Sequence, residues 1–185
     1  MVFIVSGPSG AGKGTVVQGL LQRVPGIKLA VSYTTRPARP MERDGVHYFF
    51  VSDREFLEMR DRGDLLEWAE VHGNLYGTSR ATVESDLANG SDVLLEIDVQ
   101  GAAQVKAALP DAFLIFIEPP SMQILEQRLR KRSTEAEDAM SRRLADAYDE
   151  IRKKNLYDGV IVNVNIDQSV QEMLSLMKRL KESRH

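Results

Sequence analysis

Residues 7–15 read GPSGAGKGT, and the reading of the fold turns on them. The stretch follows the phosphate-binding pattern G-x-x-x-x-G-K-[ST] at Gly7, Gly12 and Lys13. The next position, which in that pattern carries a hydroxyl for magnesium, is Gly14, and the hydroxyl arrives one residue late at Thr15. What flanks the loop supports the match. Val2–Ser6, VFIVS, is a short β-branched run that predicts a buried strand. From Thr15 to Val24 the apolar residues Val16, Val17, Leu20, Leu21 and Val24 recur at helical spacing, and Pro25-Gly26 ends the segment. Strand, glycine loop and helix together aim backbone N–H groups and a partial positive charge at an anion.

Outward from the loop, apolar strands alternate with helical stretches. IKLAVSYTT predicts one strand over 27–35, followed by the polar loop RPARPMERDG. VHYFFV is a strand, and Ser52 with Glu55 forms a capping-box pattern for the helix after it. LLEWAEV, HGN and LYG read as a strand leaving through a tight turn, and SRATVESDLANG as a helix stopping at Gly90. DVLLEID, AFLIFIEPP and GVIVNV are further strands, with a small-residue helix, VQGAAQVKAAL, after the first. A charged helical stretch spans 121–154, with a second capping box at Thr134 and Glu137, and a terminal helix begins near Asp167. The pattern predicts an α/β fold: a phosphate-loop core with a parallel sheet covered by helices on both faces. One domain is expected, with its core in about 1–33, 90–123 and 156–185, an insertion over about 34–89 and a helical appendage over about 124–155.

Composition narrows the function. The chain has 185 residues, 43% of them hydrophobic and 28% charged, which suits a globular protein with a sizeable core. A net charge of −3 argues against broad nucleic-acid binding, so anionic ligands must be held by local clusters. Cysteine is absent, which excludes disulfides and thiolate metal sites. No run approaches the ~20 apolar residues that span a bilayer, and the N-terminal apolar stretch is too short for a signal peptide. The expectation is a cytoplasmic protein with no membrane partner, compatible with a homo-oligomer.

Several side chains stand where chemistry is expected. Asp98 ends a strand, where an acidic residue organises magnesium in phosphate-loop proteins; it equally suits a helix N-cap. Asp98 to Gly101 also fits the D-x-x-G of switch GTPases, but the hydroxyl after Lys13 and an N-K-x-D motif are both missing. Arg36 and Arg39, with Tyr48 and Tyr76 in the same segment, make a suitable socket for a second phosphate. Arg128 and Arg132 share a helix face, for which a solvated surface is the plainer reading.

Taken together, SYTTRPAR (32–39), HYFFVS (47–52), LLEWAEVHGNLYGT (65–78), LLEIDVQG (94–101) and VIVN (160–163) resemble the guanylate kinase family. The resemblance implies transfer of phosphate from ATP to GMP, with dGMP a further acceptor, in the recycling of GMP for guanine nucleotide supply. It implies magnesium with ATP, a GMP-binding insertion and a mobile lid. By similarity, Gly7, Pro8, Ser9, Gly10, Ala11, Gly12, Lys13, Gly14 and Thr15 would hold ATP. Ser32, Glu67, Thr78 and Asp98 would surround guanine and its ribose, while Arg36, Arg39, Tyr48 and Tyr76 would hold the GMP phosphate. Arg128, Arg132 and Arg143 would approach the ATP phosphates from the lid, and Asn163 would lie near the adenine. Catalysis would rest on Lys13, Arg36, Arg132, Arg143 and Asp98, with magnesium anchored through water by Asp98 and by Thr15. The chain departs from the family's pattern at Gly14, in the order Arg36-Pro37-Ala38-Arg39, and at Asn165. The loop intact at Gly7, Gly12 and Lys13 disfavours a non-catalytic interaction module of the same fold.

Overall fold

The apolar run at the N-terminus forms β1 (Val2–Ser6), and the glycine loop leads directly into α1 (Lys13–Leu21). The computed structural model describes residues 1–132 and 137–183, the side chains of 132 and 137–139 excepted. Next come β2 (Ile27–Leu29), β3 (Tyr33–Thr34), β4 (Phe49–Phe50), α2 (Asp53–Asp61), β5 (Leu65–Val71) and β6 (Asn74–Ser79). Then follow α3 (Arg80–Ala88), β7 (Asp92–Glu96), α4 (Val99–Ala108) and β8 (Phe113–Glu118). The chain continues through α5 (Met122–Arg132), α6 (Glu137–Arg152), a 3-10 turn, β9 (Gly159–Val162) and α7 (Ile166–Glu182). Parallel strands flanked by helices give the expected α/β class. The Thr134–Glu137 capping box lies outside the described residues.

The chain divides into two compact units, Met1–Val2 with Gly26–Ala112, and Phe3–Pro25 with Phe113–His185. In the second unit β1, β8 and β9 run parallel, with Phe3 opposite Phe113 and Ile115 opposite Gly159. The residues Ile4 and Val5 of β1 and Ile115, Phe116 and Ile117 of β8 are fully buried. Continuous apolar strands of this kind are what a parallel sheet buried on both faces requires. Helix α1 contributes Val16, Val17 and Leu20 to this core, and α7 contributes Val170, Met173 and Met177. Each such side chain stabilises the fold by roughly 1.5–3 kcal/mol.

In the first unit β2 pairs parallel with β7, and a separate four-stranded sheet has the order β4-β3-β6-β5. The single strand expected over 27–35 is therefore two short ones. The Ala30 N–H still follows β7, donating to the Leu94 carbonyl, whereas Tyr33 and Thr34 pair with β6. The run changes partner midway, which no local pattern reveals. VHYFFV similarly keeps only two residues in a strand, because the loop before it folds on itself through Asp44, Gly45 and Tyr48. The β5–β6 hairpin turns at His72 and Gly73, with φ of 50° and 76°. Positive φ at both central residues is the tight turn that matches strand twist. Helix α2 carries the expected capping box, with Ser52 accepting from the Glu55 N–H and Glu55 accepting from the Ser52 N–H.

Candidate active site

The glycine loop is held in place from within its own unit. Gly12 adopts a left-handed conformation (φ 92°) as the N-cap of α1, and a Cβ there would collide with the Asn163 side-chain amide. That amide is itself buried: its Nδ2 donates to the Ala11 carbonyl at 2.8 Å, and its Oδ1 accepts from the Ser169 hydroxyl at 3.1 Å. Arg128 adds two more ties, donating to the carbonyls of Ala11 and Asn163, each at 3.2 Å. Lys13 curls back over the loop to the carbonyls of Gly7 and Pro8. Beneath the loop, Gly10 lies so close to Leu125 and Leu129 of α5 that a Cβ would approach each to 3.0 Å.

Beside this loop lies a cavity of about 510 Å³, lined in part by Gly10, Gly12, Thr15, Arg128, Asn163 and Ile166. It is large enough for a nucleoside moiety. Arg128 and Asn163 both line this cavity, and their polar atoms brace the loop. Asn165 caps α7, accepting from the N–H groups of Asp167 and Gln168. Thr15 is exposed on the first turn of α1, Ser9 is exposed on the loop, and Pro8 is buried. Arg143 is half-buried on α6, while the Arg132 side chain lies outside the described residues.

The first unit contains two polar constellations. In one, Arg36 donates through Nε to the Tyr76 hydroxyl at 3.2 Å and through Nη2 to both oxygens of Glu42, at 2.9 and 3.0 Å. Its guanidinium also lies 5.5 Å from the centre of the Tyr48 ring. Burial works against the Arg36 charge, but the hydrogen bonds it donates to Glu42 and Tyr76 outweigh it and raise the pKa. Burial would raise the Glu42 carboxyl, yet the Arg36 hydrogen bond and the Arg39 N–H hold it below its ordinary range. Burial pushes the Tyr48 phenol up to about 12, so it remains a donor at neutral pH. Arg39 is more exposed, with Nη1 3.7 Å from Glu42. The structure therefore brings Arg36, Tyr48 and Tyr76 together, leaves Arg39 at the rim, and adds Glu42. Glu42 did not emerge from the sequence because one more acidic residue in a charged loop gives no local signal.

The other constellation centres on Glu67 of β5. It is 3% exposed. An irregularity in the β5–β6 register between Leu65 and Glu67 accompanies three successive buried residues, the local re-aiming that a bulge provides. The Thr78 hydroxyl donates to Glu67 Oε1 at 2.7 Å, and Ser32 Oγ lies 3.5 Å from Thr78 Oγ1. Burial drives the Glu67 pKa up to about 7, against the Thr78 hydrogen bonds and with help from the Asp98 charge.

Asp98 proves to be the N-cap of α4: Oδ1 accepts from the Gly101 N–H at 2.9 Å and Oδ2 from the Gln100 amide at 3.2 Å. Each oxygen retains a lone pair for a further donor or a metal-bound water. Among the described residues, no group of three or more acidic or histidine side chains could hold a metal. Thr15 in the second unit and Asp98 in the first each carry an oxygen donor of the kind magnesium takes.

A family model described as guanylate kinase matches residues 1–180. A guanylate kinase of Aromatoleum aromaticum is 49% identical over 96% of this chain and 87% of its own length. One from Chromobacterium violaceum is 50% identical over 96% and 84%. The crystal structure of guanylate kinase from Anaplasma phagocytophilum superposes with a TM-score of 0.80, at 35% identity, covering 97% of this chain and 85% of that one. This chain belongs to the guanylate kinase family.

Proposed function

We propose that this enzyme is an ATP:GMP phosphotransferase, passing the γ-phosphate of ATP to GMP to give GDP and ADP. One observation carries the acceptor assignment: the buried Glu67 carboxylate beside Thr78, in the same unit as the Arg36 socket. Guanine presents N1–H and an exocyclic amine side by side, and one carboxylate accepts from both. Adenine offers an acceptor at N1 and meets repulsion there. In this reading Ser32, Thr78 and Asp98 complete the nucleoside site, while Arg36, Arg39, Tyr48 and Tyr76 grip the phosphate. The loop 7–15 cradles ATP, with Arg128 and Asn163 bracing it.

The two substrates bring about six negative charges together. Lys13, Arg36, Arg39, Arg132 and Arg143 neutralise them, so catalysis consists of alignment and charge stabilisation. The attacking phosphate oxygen of GMP is already ionised, and no general base is needed. Thr15 and a water on Asp98 would hold magnesium together with the nucleotide, and the ion would supply charge neutralisation during transfer. The insertion over about 34–89 serves GMP and the appendage over about 124–155 serves as the lid. A coupled assay for ADP with each nucleoside monophosphate in turn tests the reading. GMP should support turnover at least a hundredfold better than AMP, CMP or UMP; equal rates would refute it.

A further inference from the structure

In the D-x-x-G stretch at Asp98–Gly101, the proposed function gives Asp98 a role but leaves Gly101 without one. Its glycine has a specific neighbour. A Cβ built on Gly101 would overlap Glu67 Oε2, stand 3.0 Å from Glu67 Cδ and approach Asp98 Oδ1 to 3.2 Å. Gly101 is helical, in the first turn of α4, where no positive φ demands glycine. Glycine is among the poorest helix formers, so its presence there calls for another reason. The bare α-carbon is the floor on which the Glu67 carboxylate rests.

Helix α4 cannot back away to make room. Gln104, one turn further on, donates through Nε2 to the Trp68 carbonyl at 2.7 Å and accepts from the Trp68 N–H at 3.2 Å. Strand β5 is an edge strand of the four-stranded sheet, and this amide takes the place of a neighbouring strand. Trp68 directly follows Glu67, so the tie fixes the helix-to-strand separation where the carboxylate lies. Asp98, by capping the Gly101 N–H, fixes the start of the same helix.

We propose that Gly101 determines selectivity for guanine by leaving the Glu67 carboxylate its place, with Gln104 as the positioning residue that holds the separation. The inference rests on the reading of Glu67 as the guanine acceptor. A methyl group at 101 meets the end of the Glu67 side chain head-on and presses on Asp98 Oδ1 by only a few tenths of an ångström, so the fold should survive while the acceptor geometry is lost.

The test compares Gly101→Ala, Glu67→Ala and the double variant by steady-state kinetics and thermal melting. Gly101→Ala should raise the KM for GMP at least tenfold and narrow the GMP-over-AMP preference, with the KM for ATP unchanged. In the Glu67→Ala background the same substitution should change the KM for GMP by less than threefold, since residues acting through one another are not additive. A KM for GMP within twofold of the parent in Gly101→Ala overturns the proposal, as does a full tenfold loss in the Glu67→Ala background. Should Gly101→Ala fail to fold, the double variant must fold, because the displaced carboxylate is gone; its failure also overturns the proposal. Glu67→Ala reports separately on the underlying reading. If that variant keeps its preference for GMP, Glu67 does not read guanine; if it loses the preference while Gly101→Ala is silent, only the role of Gly101 is wrong.

Discussion

Glu67 is deeply buried and accepts from the Thr78 hydroxyl, and its acidity follows from that environment. Near pH 7 the empty site holds a mixture of carboxylic acid and carboxylate, and only the carboxylate accepts both guanine donors. GMP binding should therefore weaken as pH falls through 7, with the KM about tenfold above its alkaline limit at pH 6. The GMP phosphate titrates nearby as well, so Glu67→Gln is the control: its KM–pH profile should keep only the shallow phosphate component. The same variant should lose at least tenfold in GMP-over-AMP discrimination, because an amide offers one acceptor and one donor to a pair of donors. Asp98 permits a sharper separation of structure from chemistry. Asparagine caps a helix as well as aspartate does, so Asp98→Asn should keep its melting temperature within about 2 °C. Its turnover should fall at least tenfold, whereas Gly14→Ser, which restores a hydroxyl, should be tolerated. An Asp98→Asn enzyme of parental activity would exclude the metal-anchoring role. At this scale the sequence was informative where one residue type has one job, as at Gly12 and Lys13. It was uninformative about Glu42, Gly101 and Gln104, whose meaning depends on partners 6, 34 and 36 residues away.

Among the elements, the glycine loop depends on a brace drawn from α5 and from the segment joining β9 to α7. Ser169 holds Asn163, and Asn163 holds the Ala11 carbonyl. Ser169→Ala would leave the buried Asn163 Oδ1 without its donor, a loss of about 1–3 kcal/mol. We expect a lower melting temperature together with a raised KM for ATP and an unchanged KM for GMP; an unchanged KM for ATP would show that the brace does not shape the loop. The elements most legible in the sequence were those with local signals: the strand–loop–helix at 2–21, the capping box at Ser52 and Glu55, and the hairpin at His72-Gly73. The elements misjudged were those that non-local pairing decides. Residues 27–35 are continuous in character but exchange β7 for β6 as partner, and β4 is short because its preceding loop satisfies its own backbone. Asp98 was readable as either a metal anchor or a cap; the cap is now visible, and it leaves the other role open to the test above.

For the molecule as a whole, the proposed role of Glu67 links guanine recognition to stability through its buried carboxyl. The folded-state pKa of Glu67, about 7, lies above its ordinary value of 4.5, so its ionisation opposes folding. The stability it permits is complete below about pH 4.5 and is lost as pH climbs through 7, by about 3 kcal/mol at most. Substrate-free protein should thus lose melting temperature between pH 5 and 8 relative to Glu67→Gln, and the difference should shrink when GMP is present. A constant difference across that range would mean that Glu67 is ionised throughout. The central claim is that phosphate passes from ATP to GMP, and the most direct measurement follows the phosphate itself. With ATP labelled in its γ-phosphate, magnesium and GMP, the label should appear in GDP, with little in free phosphate, and the transfer should fail when AMP replaces GMP. Label appearing chiefly as free phosphate, or remaining in ATP whichever acceptor is supplied, would contradict the account.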